Sequence, residues 1–404
     1  MSTLRGIKVL DLSRYIAGPT ASMMLADQGA DVTKVESLPV GDPSRQSGPF
    51  QDGHSVYFMS ANRNKKSLAL NMRSTEAAAI LRRLADEADV LIENFKPGTA
   101  EKMGLGCDEL LKTNPGLVYC SITGFGTGPQ GQSMAGFDQN AQGMSGLMSV
   151  TGTEETGPLR VGVPIADTVT GLIASFAITS KLMERERTGL GGRVSTSLMQ
   201  SANFLLTYQA QKYLSMGIVA GREGNDHPLL FPQGTFRTGD GYLTIASGNE
   251  KMWRQLCTAM GLEELAEHPD FHNNEMRMKN KLELRRRMEE VLAAHGSAHW
   301  ISTISAAGVP CGEVLGVDEV YSHPIAEELR LAETVDHTAL GPMRVLGRPA
   351  DTGNADWLHS APPMLGEHNA EVLAALGYTP EQIEALDDAG VLGADSRVPG
   401  AAAV

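Results

Sequence analysis

The clearest candidate for chemistry in this chain is Asp167, in the stretch "GVPIADTVTG" from Gly162 to Gly171. An acid between a short apolar run and a helical pattern has two readings. Aspartate is a good N-cap, because its carboxylate accepts hydrogen bonds from the free amides of the first helical turn. A carboxylate that is held in place and partly desolvated can also act as a nucleophile or a base. Val169, Leu172, Ile173, Phe176 and Ala177 follow at helical spacing, so a helix is expected to begin near Thr168 and to stop at the glycines after "KLMERERT". Both readings stay open on local grounds.

Other constellations fall short of a site. Cys107, Cys120, Cys257 and Cys311 are scattered without a Cys-x-x-Cys pair, which suggests neither a zinc site nor a disulfide framework. His268 and His272 have a metal-binding spacing, but Pro269 between them discourages a helix, and His295 with His299 lacks an acidic third ligand. No metal is expected. Glu36 ends the second strand, where a ribose-binding acid would sit, yet the first turn, "SRYIAGPTA", has Gly18 alone in place of Gly-x-Gly-x-x-Gly. The later cluster "TGFGTGPQG" leads into Pro129 and polar residues and reads as a structural loop, and "GMSGL" does not match a nucleophile elbow.

The elements that must hold Asp167 alternate between strand and helix. "IKVLDLS" reads as a strand, "PTASMMLADQGA" as a helix with Pro19 in its first turn and Gly29 after its end, and "DVTKVES" as the next strand. "KSLALNM", "DVLIENF" and "LVYCSITGF" read as further strands, separated by the helices "STEAAAILRRLADEA", capped by Ser74, and "CDELLKTNP". Such alternation predicts a mainly parallel sheet with helices on both faces. Near residue 200 a long apolar helix, "SANFLLTYQAQKYLSMG", leads into a polar connection, and "GTFRTGDGYLTIASG" then reads as a hairpin turning at Gly239-Asp240-Gly241, followed by two helices. The predicted organisation is an α/β large domain over 1–200, a linker over 201–225, a smaller α+β domain over 226–330 and a C-terminal linker over 331–404, with "GADSRVPGAAAV" too rich in small residues to pack.

Composition bounds the function. The 404 residues are 42% hydrophobic and 20% charged, ordinary for a globular protein, and the formal net charge of −14 argues against a nucleic-acid partner. The one basic cluster, "RMKNKLELRRRMEE", is interleaved with glutamates and reads as a solvated helix face. No apolar run approaches bilayer length and the N-terminus lacks a signal peptide's apolar core, so a cytoplasmic protein without a membrane partner is expected.

The phrases "GIKVLDLSRYIAGP", "GADVTKVES", "NRNKKSLALNM", "VLIENFKPG", "SITGFGTGP", "GLMSVTG", "PIADTVTG", "GGRVSTSLM" and "PPMLGEHNAEVL" run in order over almost the whole chain. Together they resemble the family III CoA-transferases, the CaiB/BaiF family, which includes formyl-CoA transferase and carnitine CoA-transferase and also α-methylacyl-CoA racemase. The resemblance implies a Rossmann-like large domain and a small α+β domain joined by long linkers, with two such rings interlocked as a homodimer. It aligns Asp167 with a catalytic aspartate that attacks an acyl-CoA thioester, giving an anhydride and then an aspartyl-CoA thioester. It implies CoA contacts at Ile16, Ala17, Leu70, Arg73, Asn94, Phe95, Lys102 and Met103. Two departures stand out: Ser37 and Ala135 occupy positions that are basic in formyl-CoA transferase, which leaves Arg45 or Lys96 as candidate replacements. "ASGNEKMW" replaces a longer glycine-rich lid loop, with Gly248 and Asn249 as lid candidates and a plain turn as the simpler reading.

The racemases of the family carry a histidine where this chain has Phe137, next to Asp138, and phenylalanine cannot carry a proton. The resemblance therefore implies a CoA-transferase acting on an acyl-CoA and a free carboxylic acid, with small dicarboxylates such as succinate as candidate acids and no cofactor beyond CoA. A racemase or epimerase is the alternative on the same fold. A non-catalytic acyl-CoA-binding protein would need a changed Asp167, and the intact acid counts against it.

Overall fold

The computed structural model describes residues 2–353 and 360–395. The small-residue tail lies outside them from residue 396 onward. The described chain falls into two compact units, one made of the described parts of 1–147, 160–215 and 325–404, the other of 148–159 and 216–324. The stretch 148–159 thus groups with the second unit although it lies within the range 1–200.

In the first unit the alternation becomes β1 (Lys8–Asp11), α1 (Ala17–Ala26), β2 (Asp31–Ser37), β3 (Lys65–Leu70), α2 (Thr75–Glu87), β4 (Val90–Glu93), α3 (Cys107–Thr113), β5 (Val118–Thr123), α4 (Asp138–Met144), α5 (Ile165–Thr188) and β6 (Gly192–Ser197). The six strands form one parallel sheet in the order β6-β5-β4-β1-β2-β3, with Val9 of β1 opposite both Val32 and Val90. The sheet is buried on both faces because consecutive side chains alternate. Leu10, Leu68 and Leu91 point to a core shared with Ile80, Leu81 and Leu110, whereas Val9, Val32 and Val90 point to one shared with Leu25, Ala174 and Ile178. Ser74 caps α2 by accepting from the Ala77 amide at 3.0 Å, as its sequence position predicts.

Three local expectations need correction. The helix carrying Asp167 begins at Ile165 with Pro164 before it, so Asp167 stands inside the first turn and is not the cap. The acceptor for the first-turn amides comes instead from Asp138 on another helix, described below. The long helix predicted around residue 205 is two, α6 (Leu198–Phe204) and α7 (Tyr208–Met216), broken where Thr207 adopts a φ of 46° that a helix cannot hold. Finally, α5 is long and apolar enough by length and composition to cross a bilayer, unlike any run foreseen in the sequence. Its Ala166, Thr170, Ala174 and Ile178 face is buried as a core helix.

The second unit has a three-stranded antiparallel sheet, β7 (Gln233–Arg237), β8 (Tyr242–Ala246) and β9 (Cys311–Glu313), and β7 and β8 form the predicted hairpin. The helix α8 (Glu250–Met260) packs Trp253 and Leu256 into its own core with Phe231 and Phe236. In the helix Lys281–Leu292 the basic cluster is neutralised locally, Arg286 pairing with Glu283 and Glu290 and Arg287 with Glu283. A solvated face is what these pairs make, although Arg277, just upstream, is buried against Glu250.

Candidate active site

In an open parallel sheet the crevice forms where the strand order reverses, at the carboxyl ends of the two strands that lead away in opposite directions. Here that point lies between β1 and β4. A cleft of about 650 Å³ opens there, lined by Arg14, Tyr15 and Ala17 after β1, by Asn94 to Pro97 after β4, and by Thr123 at the end of β5 with Gly124 and Gly126 beyond it. Phe137 and Asp167 line it as well.

A buried ionic frame holds the β1 turn. Lys34 donates to the Ser13 carbonyl at 2.8 Å and pairs with Asp42 at 2.9 Å, while Lys65 reaches Asp11 at 3.1 Å and the Pro19 carbonyl at 2.9 Å. Burial would raise the Asp11 carboxyl, but Lys34 and Lys65 outweigh it and hold the group far below the usual carboxylate range. Asp42 accepts from the Tyr15 amide at 3.2 Å, and Tyr15 sits at a φ of 64°, a left-handed conformation uncommon for a bulky residue. Asn94 grips the same turn from β4, accepting from the Arg14 amide at 2.9 Å and donating to the Arg14 carbonyl at 2.8 Å.

Two glycine contacts bring the reactive end together. A Cβ on Gly171 would meet the Ala17 carbonyl oxygen and Thr20 at 2.7 Å, so glycine lets α5 approach α1 one turn beyond Asp167. Gly124 and Gly136 cross backbone to backbone, each Cβ position falling within 2.4 Å of the other's Cα. The crossing sets Phe137 and Asp138 beside the start of α5. Asp138 Oδ1 then accepts from the Ala166 amide at 2.8 Å and the Asp167 amide at 3.3 Å, and Gln142 Nε2 donates to its Oδ2 at 2.6 Å. Gln142 in turn accepts from the Val161 amide at 2.8 Å, which ties down the segment leading into α5.

Asp138 therefore does the capping and leaves Asp167 uncommitted. Among the described residues no donor is hydrogen-bonded to the Asp167 carboxylate, and burial together with the nearby negative charge of Asp138 raises its pKa to about 7. Tyr57, also on the cleft wall, is shifted upward as a phenol by burial and by the charges of Asp167 and Asp138. The sign of the Asp167 shift has a stability consequence. A carboxyl whose folded pKa exceeds its unfolded value stabilises the fold only while protonated, so that contribution fades as pH rises from about 4 to 7. Asp167→Asn is expected to raise Tm by several degrees at pH 8, and the gain should shrink steadily as thermal melts are repeated toward pH 4. A gain independent of pH would count against the raised pKa.

The other sequence candidates divide. Ala17, Asn94, Phe95, Met103 and Phe137 line the cleft with Asp167, and Lys96 does too. Ile16 is buried before α1, Leu70 is fully buried in the core, and Arg73 and Lys102 are exposed side chains outside the cleft lining. Arg45 is spoken for: its guanidinium makes two 2.7 Å bonds to Glu36 and lies 3.6 Å from the centre of the Phe58 ring. The same pairing neutralises the acid that a nicotinamide ribose would need. Asn249, in the second unit, caps α8 by accepting from the Met252 amide at 2.9 Å, and a side chain on Gly248 would meet open space. Arg14, Tyr15 and Tyr57 were not singled out from the sequence. The first two follow β1 at the reversal point, which was the available signal, whereas Tyr57 comes from a single helical turn, Val56–Met59, that carries none.

The model of CoA-transferase family III matches residues 4–369. The chain belongs to this family. The succinyl-CoA:glutarate CoA-transferase of Mus musculus is 38% identical over 97% of this chain and 91% of its own length. The succinyl-CoA:mesaconate CoA-transferase of Haloarcula marismortui is 36% identical over 93% of this chain and 97% of its own. A crystal structure of a CaiB/BaiF family protein from Brucella suis superposes with a TM-score of 0.84 at 38% identity, covering 93% of this chain and 99% of that one. The family III transferase is thus an enzyme that handles CoA thioesters, built on the parallel sheet described above.

Proposed function

We propose that this CoA-transferase moves CoA from an acyl-CoA donor to a small dicarboxylic acid, with Asp167 as the nucleophile. What supports the reading is one observation: the Asp167 carboxyl faces a cleft at the reversal point of the sheet, free of hydrogen-bond donors among the described residues and with its pKa raised to about 7. A carboxylate that is poorly solvated and more basic than usual is a better nucleophile than an ordinary aspartate, and near neutral pH a large share of it is ionised.

In the proposed sequence one Asp167 oxygen adds to the thioester carbonyl carbon and the C–S bond breaks, leaving an aspartyl anhydride and CoA thiolate. The thiolate attacks Cγ of Asp167, releasing the first acid as its carboxylate and forming an aspartyl-CoA thioester. The acceptor carboxylate attacks the same Cγ and expels the thiolate again. Attack of the thiolate on the acceptor's carbonyl then yields the new acyl-CoA and restores Asp167. Each intermediate remains activated, so no external energy source is needed, but water must be kept away from both.

The dicarboxylate class rests on the acids named for the glutarate and mesaconate enzymes of the relatives. A homodimer belongs to the reading too, supported by the apolar stripe Leu172, Phe176 and Met183 left exposed on α5, as does a cytoplasmic setting with no metal. Incubation with succinyl-CoA and, in turn, glutarate or mesaconate, followed by mass spectrometry of the acyl-CoA pool, tests it; formation of the acceptor's CoA ester is expected. Deuterium incorporation at the α-carbon of an acyl-CoA, with no CoA exchanged, would mark a racemase instead. Against that alternative, Asp167 is the sole carboxylate, and no histidine is present, among the described residues lining the cleft.

A further inference from the structure

The two positions where this chain lacks a cation, Ser37 and Ala135, lie in two adjoining cavities. Ser37 lines a recess of about 140 Å³ together with Glu36, Asp42 and Met72, and Ala135 lines the main cleft. Arg14, Phe95 and Met103 line both. The cations packed behind the recess are committed: Lys34 is ion-paired with Asp42, Lys65 with Asp11, and Arg45 with Glu36. Arg14 is different. Its side chain is exposed, its guanidinium carbon lies 5.3 Å from the centre of the Phe95 ring, and among the described residues it makes no ion pair.

We infer that Arg14 binds a phosphate of the nucleotide end of CoA, supplying from the β1 turn the charge that Ser37 and Ala135 do not. This rests on the CoA-transferase reading of the same cleft and assigns to it a residue that the sequence did not single out. Its backbone is fixed in both directions by Asn94, so the side chain starts from a rigid root. The Phe95 ring faces the guanidinium itself, whose N–H donors point outward in its own plane and so stay available to phosphate oxygens. Lys96, exposed on the cleft wall and also without an ion pair among the described residues, adds a second positive charge on the same side. Asp167 lies on the main cleft and not on the recess, as expected if nucleotide and thioester occupy different ends.

The test separates the two ends of CoA. Adenosine 3′,5′-bisphosphate and pantetheine are titrated separately by calorimetry into the wild-type protein, Arg14→Met and Arg14→Lys. For Arg14→Met the dissociation constant of the bisphosphate is expected to rise about tenfold, the loss of one charge-assisted contact, with that of pantetheine unchanged. Arg14→Lys should recover part of the loss, and raising the salt concentration should narrow the gap between wild type and Arg14→Met. Equal weakening of both fragments would mean that Arg14 only shapes the turn, and no weakening of either would mean that it does not touch the nucleotide; each result overturns the inference. Fragment binding needs no turnover, so a wild-type protein that binds both fragments yet transfers no CoA would sink the transferase reading of the cleft without deciding the role of Arg14.

Discussion

Asp167→Ala is expected to lower the rate of CoA transfer by roughly 10⁴-fold or more, the scale on which removal of a covalent nucleophile acts. It should also abolish the trapped intermediate. Wild-type protein incubated with a donor acyl-CoA and hydroxylamine should gain the mass of a hydroxamate, because both the anhydride and the aspartyl thioester present an activated Cγ to the amine, and the variant should gain nothing. The variant is a clean one on structural grounds. Among the described residues the Asp167 side chain accepts no hydrogen bond, and the first-turn amides of α5 are satisfied by Asp138, so truncation removes a reactive group without uncapping the helix. An Asp167→Ala protein that is folded and still transfers CoA at a wild-type rate would remove the carboxylate from the chemistry altogether.

How far the site was legible follows from what kind of information each part needs. Asp167 could be picked out because its phrase is distinctive and because a helical pattern begins beside it. The strands were legible from short runs such as "KVLD" and "VLIE", whose consecutive apolar residues point to alternate faces and so call for cover on both. β6 escaped notice because "GRVSTS" alternates polar and small residues as the edge of the sheet. The start of α5 was misplaced by three residues for a physical reason: an aspartate near a helix start has the signature of a cap, and nothing in the local sequence says that the acceptor comes from a residue 28 positions earlier. Tyr57 and Arg14 depend on long-range placement, one on a short turn and the other on the Lys34–Asp42 ion pair and the Asn94 hydrogen bonds that hold the β1 turn. Arg45 misled for the converse reason, its charge being visible in the sequence but its partner Glu36 not.

Asp138 carries the second large effect, and two substitutions divide its roles. Asp138→Ala removes the acceptor for the Ala166 and Asp167 amides and the partner of Gln142, so the first turn of α5 and the carboxyl it carries lose their anchor. Displacing a nucleophile by as little as an ångström costs on the order of 10²-fold, and a fall in kcat of that size is expected. Asp138→Asn keeps one oxygen for the helix amides but removes the charge, and its new amide group faces Gln142 Nε2, donor against donor, a milder defect. The charge matters through pH. Burial and then Asp138 hold Asp167 at about 7, so the wild-type kcat/KM should climb with pH through an apparent pKa near that value as the carboxylate forms. With the neighbouring charge gone the acid limb should move to lower pH, and activity at pH 6 relative to the plateau should rise even though the plateau itself falls. A nucleophile tuned only by burial would leave that limb where it was. The pH profile of Asp138→Asn, read beside the kcat of Asp138→Ala, thus distinguishes a residue that places Asp167 from one that also sets its charge.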